Sequence, residues 1–226
     1  VPDSIVNRRR NEQAHPAKRV RATISVPAIL TAAKRLFLEF GYDGVNLERV
    51  GEAAGVSRQT VYNRFGSKEA VFRAMVEAHW SAIRNDDVFS AGDMASEPET
   101  LLRCFGEAIL AFVADADQIA FTRLVIAESR RLPWIAEEFY RLGKQPLLLG
   151  FANCLKQLDA RGLLDCKAPE FATHQFMGLI QEFVIWPRVM AIGSEAQPRD
   201  PPEHVVEEAI AMFMARYRPV PQNPSI

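Results

Sequence analysis

The sequence predicts an all-α protein in two parts. Three observations carry this. Apolar residues recur at three- and four-residue spacing along most of the chain, and proline or glycine punctuates the joints between those stretches. No segment shows the strict apolar–polar alternation of a half-buried strand. The 226 residues leave room for a small domain joined to a larger one.

Residues 1–24 have no periodicity and carry Arg8, Arg9, Arg10, Lys18, Arg19 and Arg21, the composition of a flexible basic arm. From there Ile29, Ala33, Leu36, Phe37 and Phe40 mark one face of a helix. Ser25 is placed to cap it, Pro27 suits its first turn, and Gly41 stops it. Asn46 caps a short helix over 47–54, with Leu47, Val50 and Ala54 inward, which Gly55 closes. Ser57 opens a third helix with Val61 and Phe65 inward, and Gly66 ends it. Ser67 caps a fourth over 68–87, whose apolar stripe runs through Val71, Met75, Ala78 and Ile83. The same signals predict helices over 98–114, 117–131, 133–142, 145–160, 169–192 and 202–216, then a flexible tail over 218–226.

Residues 53–72, "AAGVSRQTVYNRFGSKEAVF", meet the demands of a helix-turn-helix. Gly55 can take the left-handed conformation of the turn, Val56 can plug the space between the helices, and Ser57 can cap the second. With Val61 and Phe65 inward, Arg58, Gln59, Thr60, Tyr62, Asn63 and Arg64 face out. Arg can pair with guanine O6 and N7, Gln or Asn with adenine N6 and N7, and the Thr methyl can touch thymine. Ser57, Tyr62 and Lys68 are suited to phosphates, which set position rather than sequence. The candidate DNA contacts are therefore Ser57, Arg58, Gln59, Thr60, Tyr62, Asn63, Arg64 and Lys68. Charge is distributed to match. Residues 1–66 hold eleven Lys/Arg against six Asp/Glu, a net +5, and the remainder is −6. A helical hairpin with a solvated polar face is the alternative on spacing alone.

This stretch resembles the helix-turn-helix signature of the TetR family of bacterial transcriptional regulators, in Ala54-Gly55-Val56-Ser57, Thr60-Val61-Tyr62, Phe65, Lys68-Glu69 and Val71-Phe72. The preceding "ILTAAKRLFLEFGYDGV" is similar to the family's first helix and its exit. Two residues depart from the pattern. Gly51 stands where the family more often has Ala, at about 1 kcal/mol in a helix interior, and Arg64 stands where it often has His. "E-x-x-R-x-P" at Glu128, Arg131 and Pro133, with the late Phe-rich helix, more loosely resembles the C-terminal domain of the AefR-like subgroup.

The resemblance implies a helix-turn-helix DNA-binding domain over 25–70 and a helical ligand-binding and dimerisation domain over 71–217. It implies a homodimer on a palindromic double-stranded DNA operator, released by a small, apolar inducer, acting as a repressor in the cytoplasm. Candidate pocket residues are Trp80, Phe105, Ile109, Phe112, Phe121, Val125, Trp134, Phe139, Tyr140 and Phe151. Gln118, Arg123, Glu128, His174 and Gln175 are possible polar orienters. Pocket and plain core look alike in sequence, so each aromatic has both readings. The helix over 169–192 holds more apolar residues than one stripe needs, which makes Phe176, Ile180, Phe183 and Val184 the candidate dimer contacts.

No catalytic residue, metal or cofactor is expected. A phosphate loop, HExxH, GxSxG and a spaced Cys–His pair are all lacking, and the four histidines are scattered. Cys104, Cys154 and Cys166 suit buried thiols rather than a disulfide framework, with a thiol sensor as the alternative. No apolar run is long enough to span a membrane, and the N-terminal stretch lacks the apolar core of a secretory signal. A DNA-binding protein without a ligand remains the competing class.

Overall fold

The computed structural model describes residues 26–82, 97–193 and 200–219, and the regular structure among them is helical. The basic arm over 1–24, the cap at Ser25, the last turn of the 68–87 helix with Ile83, and residues 220–226 of the tail lie outside the described residues.

Local chemistry sets the first three helices, α1 (Val26–Phe40), α2 (Leu47–Ala53) and α3 (Arg58–Phe65). Asn46 Oδ1 accepts the Arg49 N–H at 2.9 Å, and Ser57 Oγ accepts the Thr60 N–H at 3.1 Å. Both satisfy donors that a helix start leaves open. Gly55 holds the turn at φ 71°, and the Val56 N–H closes it on the Gly51 carbonyl at 2.8 Å. The turn also explains Gly51. A Cβ there would lie 2.8 Å from the Val56 oxygen, so the glycine lets the α2–α3 turn close further than alanine would.

α4 (Lys68–Ala82) follows, with Ser67 Oγ accepting the Ala70 N–H at 3.0 Å. Its buried stripe is Val71, Phe72, Met75, Val76, His79 and Trp80, while Ala78 is exposed; the apolar face is rotated from the one the sequence suggested. Phe40, expected inward, is 42% exposed and carries the Arg49 guanidinium over its ring.

The remaining helices are α5 (Pro98–Ala114), α6 (Ala116–Ser129), α7 (Pro133–Phe139), α8 (Gln145–Ala160), α9 (Pro169–Val184), α10 (Trp186–Val189) and α11 (Pro202–Tyr217). Their core centres on Phe105, Phe151, Phe176 and Phe213 from α5, α8, α9 and α11. Phe105 and Phe151 stack with centroids 4.1 Å apart, and Phe213 meets Phe176 edge-on at 5.5 Å. A second core joins α1–α4 to α6 and α7, with Phe121 and Ile135 packed among Phe37, Val61, Phe72 and Trp80.

Two expected boundaries change. Gly143 does not end a helix: a π-helical turn, Tyr140–Lys144, carries α7 into α8. The glycine is needed there because Trp80 lies against it, and an added Cβ would sit 2.1 Å from the indole. The helix predicted over 169–192 breaks at Ile185. Pro187 lacks the N–H that would continue the ladder, and α10 restarts as a short turn.

Candidate nucleic-acid interface and cavity

α3 presents a polar face. Val61 is fully buried and Phe65 half-buried, whereas Ser57, Arg58, Gln59, Thr60, Tyr62, Asn63 and Arg64 are all exposed, Tyr62 by 51%. Gln59 Nε2 donates to Asn63 Oδ1 at 2.7 Å, so these two side chains are tied into one surface one helical turn apart. Ser57 has a structural task as the helix cap, and its Oγ lies 2.9 Å from Thr60 Oγ1. Lys68 stands apart from this face. Its Nζ donates to the Tyr42 carbonyl at 3.0 Å and sits 4.2 Å from the centre of the Tyr42 ring, stapling the start of α4 to the exit of α1.

The head is fastened to the larger helical body through that same exit. Gly41 turns at φ 69°, and the Tyr42 N–H donates to Glu128 Oε1 at 2.9 Å. Arg131 holds Glu128 Oε2 at 2.8 Å and Asp43 at 3.0 Å. Trp134 packs edge-on against Tyr42 and Phe72, with the Arg73 guanidinium over its ring. Lys34 pairs with Asp117 at 2.7 Å. The E-x-x-R-x-P stretch is thus the docking segment between the two parts.

A cavity of about 460 Å³ opens between α4, α5, α6, the π turn, α8 and α9, within the size range of small-molecule sites. Trp80, Ile109, Phe112, Val125 and Phe139 line it, together with Gln118. The other proposed pocket residues do not. Phe105 and Phe151 fill the central core, and Phe121 is sealed between α4 and α7. Trp134 is committed to the head, and Tyr140 is 44% exposed on the outer side of the π turn. Glu128 and Arg123 serve as ties, the latter donating to the Val189 carbonyl at 2.8 Å. His174 and Gln175 are exposed on α9. Helical spacing said that these residues point inward, but not toward which inward space. Sequence reasoning missed Gly143, Lys144 and Met177 on the cavity wall, the first two because they fall in the joint expected between two helices.

The proposed dimer contacts need a similar correction. Phe176, Ile180 and Val184 face the protein's own core and are buried; of the four, only Phe183 is exposed. Leu149, Trp186 and Met190 are exposed apolar residues on neighbouring helices.

His79 sits beneath the cavity floor. Its ring lies 4.4 Å from that of Phe121, and Nε2 is 2.8 Å from Gln118 Oε1, which can only accept, so Nε2 carries a proton. Burial holds the ring below the ordinary value of 6.5, and Lys34 lowers it further, against the Gln118 bond, Asp115 and Asp117. A neutral folded His and a freely titrating unfolded one mean that stability is full above that ordinary value and lost as pH falls through the lower folded one. The midpoint of thermal unfolding should fall between about pH 7 and 5, with a shallower slope in His79→Gln. Burial raises the Cys154 and Cys166 thiols, which opposes thiolate formation and weakens the redox alternative.

A two-part all-α protein with a helix-turn-helix head defines a class of DNA-binding regulators, and the comparisons name the family. Residues 29–75 match the bacterial regulatory proteins of the tetR family, and residues 100–219 match the C-terminal domain of AefR-like transcriptional repressors. The chain belongs to the TetR family, a family of regulators rather than enzymes. It is 40% identical over 70 residues to the transcriptional repressor AcnR of Corynebacterium glutamicum, covering 31% of this chain and 36% of AcnR. It is 43% identical over 60 residues to the transcriptional regulator RutR of Escherichia coli, covering 26% of this chain and 28% of RutR. The chain therefore spans well under half the length of these curated relatives. Solved structures match further. A TetR-family transcriptional regulator from Mesorhizobium loti and the flavonoid-responsive regulator FrrA each show 28% identity over 85% of this chain and 96% of theirs, with TM-scores of 0.71. Among the described residues no helix is long and apolar enough to cross a membrane.

Proposed function

We propose that this protein is a transcriptional repressor that binds a palindromic DNA operator as a homodimer and releases it when a small, mainly apolar molecule fills the cavity. The observation that carries the reading is the position of Trp80. It lines the cavity, and it belongs to α4, whose first turn is stapled to the α1 exit. A ligand that prefers one placement of Trp80 shifts α4, and with it the α3 face. By linkage, a ligand that weakens DNA binding is itself weakened by DNA to the same factor.

In this reading DNA contact belongs to 25–70 and ligand binding and dimerisation to 71–217, flanked by the arm and tail, with the core of the head running on into α4, α6 and α7. The exposed sides of α8, α9 and α10, with Leu149, Phe183, Trp186 and the following Met190, supply the surface for a second copy. A two-fold axis there sets two α3 helices on half-sites one turn of DNA, about 34–36 Å, apart.

Arg58→Ala or Gln59→Ala should cost about 1–3 kcal/mol at the contacted base and relax preference there. Tyr62→Phe should weaken all sequences alike. Lys68→Ala should do so too while also lowering the melting temperature, because its ammonium staples α4 to Tyr42. Fluorescence anisotropy on matched and mismatched duplexes separates these outcomes. A thermal-shift screen of small apolar compounds tests the sensor reading: a compound at 100 times its Kd adds about 2.7 kcal/mol and should release DNA. A screen without stabilising compounds favours the ligand-free alternative.

A further inference from the structure

The cavity wall is mainly apolar, and Lys144 is the one cation among its described lining residues. Lys144, on the π turn, lines the cavity, and its side chain has no hydrogen bond or ion pair with a described residue. Burial alone pushes its ammonium below the ordinary lysine value. A cation against apolar surface without a counter-charge is costly, and a bound anion offsets that cost. The neighbouring polar groups lean the same way. The Trp80 Nε1–H is buried without an acceptor and would reach a bound anion only if the ring moved. Gln118 has committed its oxygen to His79, which leaves its amide N–H groups for other partners. The acid on this wall, Asp115, is exposed at the rim and accepts the Asp117 N–H at 2.8 Å as the cap of α6. The π turn produces the arrangement: it sets Gly143 flat against the Trp80 indole and the next residue, Lys144, on the cavity wall.

We propose that the cavity takes a small organic acid, a mainly apolar body carrying one anionic oxygen that pairs with the Lys144 ammonium. This rests on the reading of the cavity as a ligand site. The apolar body meets Ile109, Phe112, Val125 and Phe139, and the anion lies at the π-turn end beside Lys144.

The test uses two probes with one ring system, 2-naphthoate and 2-naphthylmethanol, titrated calorimetrically into the full chain near neutral pH. The wild type should bind the acid at least about tenfold more tightly than the alcohol, as a charge-assisted hydrogen bond in an apolar wall provides. Lys144→Met should lose that preference while keeping its affinity for the alcohol, and Lys144→Arg should retain it. In the wild type, NMR titration of the Lys144 ammonium should show its pKa rising when naphthoate binds, a readout that does not depend on a variant folding. Equal binding of acid and alcohol, or an undiminished preference in Lys144→Met, overturns the assignment while leaving the cavity a ligand site. Failure of both probes overturns the proposal, and failure of every compound in the thermal-shift screen overturns the ligand-site reading as well.

Discussion

Gly143→Ala lowers stability by about 1–3 kcal/mol, the range for overpacking a filled interior. Helix propensity alone predicts the opposite sign, since alanine gains about 1 kcal/mol over glycine. The contact decides. The new Cβ would lie 2.1 Å from Trp80 Cε2 and 2.2 Å from Cζ2, and a rigid indole cannot yield as a flexible chain end can. Phe139, 5.1 Å away ring to ring, blocks one retreat. The space left to the ring is the cavity, so the substitution should abolish ligand binding as well as destabilise. Scanning calorimetry should show a drop of about 2–4 °C for each kcal/mol lost, and tryptophan fluorescence should report the moved ring. An unchanged melting temperature with ligand binding intact would mean that the π turn is not held by this contact.

Glu128→Ala should cost about 1–3 kcal/mol, because the Tyr42 N–H loses its acceptor where the two parts meet. Arg131 would keep only Asp43. The larger effect concerns communication. Glu128 joins α6, which walls the cavity, to the α1 exit, which Lys68 joins to α4. Removing it should shrink the ratio of operator affinities with and without a bound compound, even if affinity without the compound is retained. Glu128→Gln keeps an oxygen acceptor for Tyr42 and should recover most of both losses. Equal ratios in the wild type and Glu128→Ala would show that coupling runs through α4 alone.

The head was legible because its determinants are local. Asn46, Ser57 and Ser67 each cap the helix that follows them, and Gly41, Gly55 and Gly66 take the positive φ their turns require. Most of the C-terminal helices were legible, and several in extent, because proline starts them; the break that makes α10 a separate turn was not. What the sequence concealed depends on partners far along the chain. Gly143 looks like a breaker until Trp80, 63 residues earlier, is seen against it. Phe105 and Phe112 share one helix and similar spacing, yet one fills the core and the other faces the cavity. Phe176 and Phe183 differ in the same way between core and surface. Periodicity gives a direction for a side chain, and only the packed neighbours say what lies there.

The proposed repressor function requires α3 to read DNA as half of a two-fold pair. Selection of bound fragments from a random duplex pool, run with wild type and Arg58→Ala in parallel, tests this most directly. The expected result is an inverted repeat with half-sites about one helical turn apart, with preference relaxed at matching positions of both half-sites in the variant. Recovery of unrelated fragments by the wild type, or of the same sharp motif by both proteins, would contradict it.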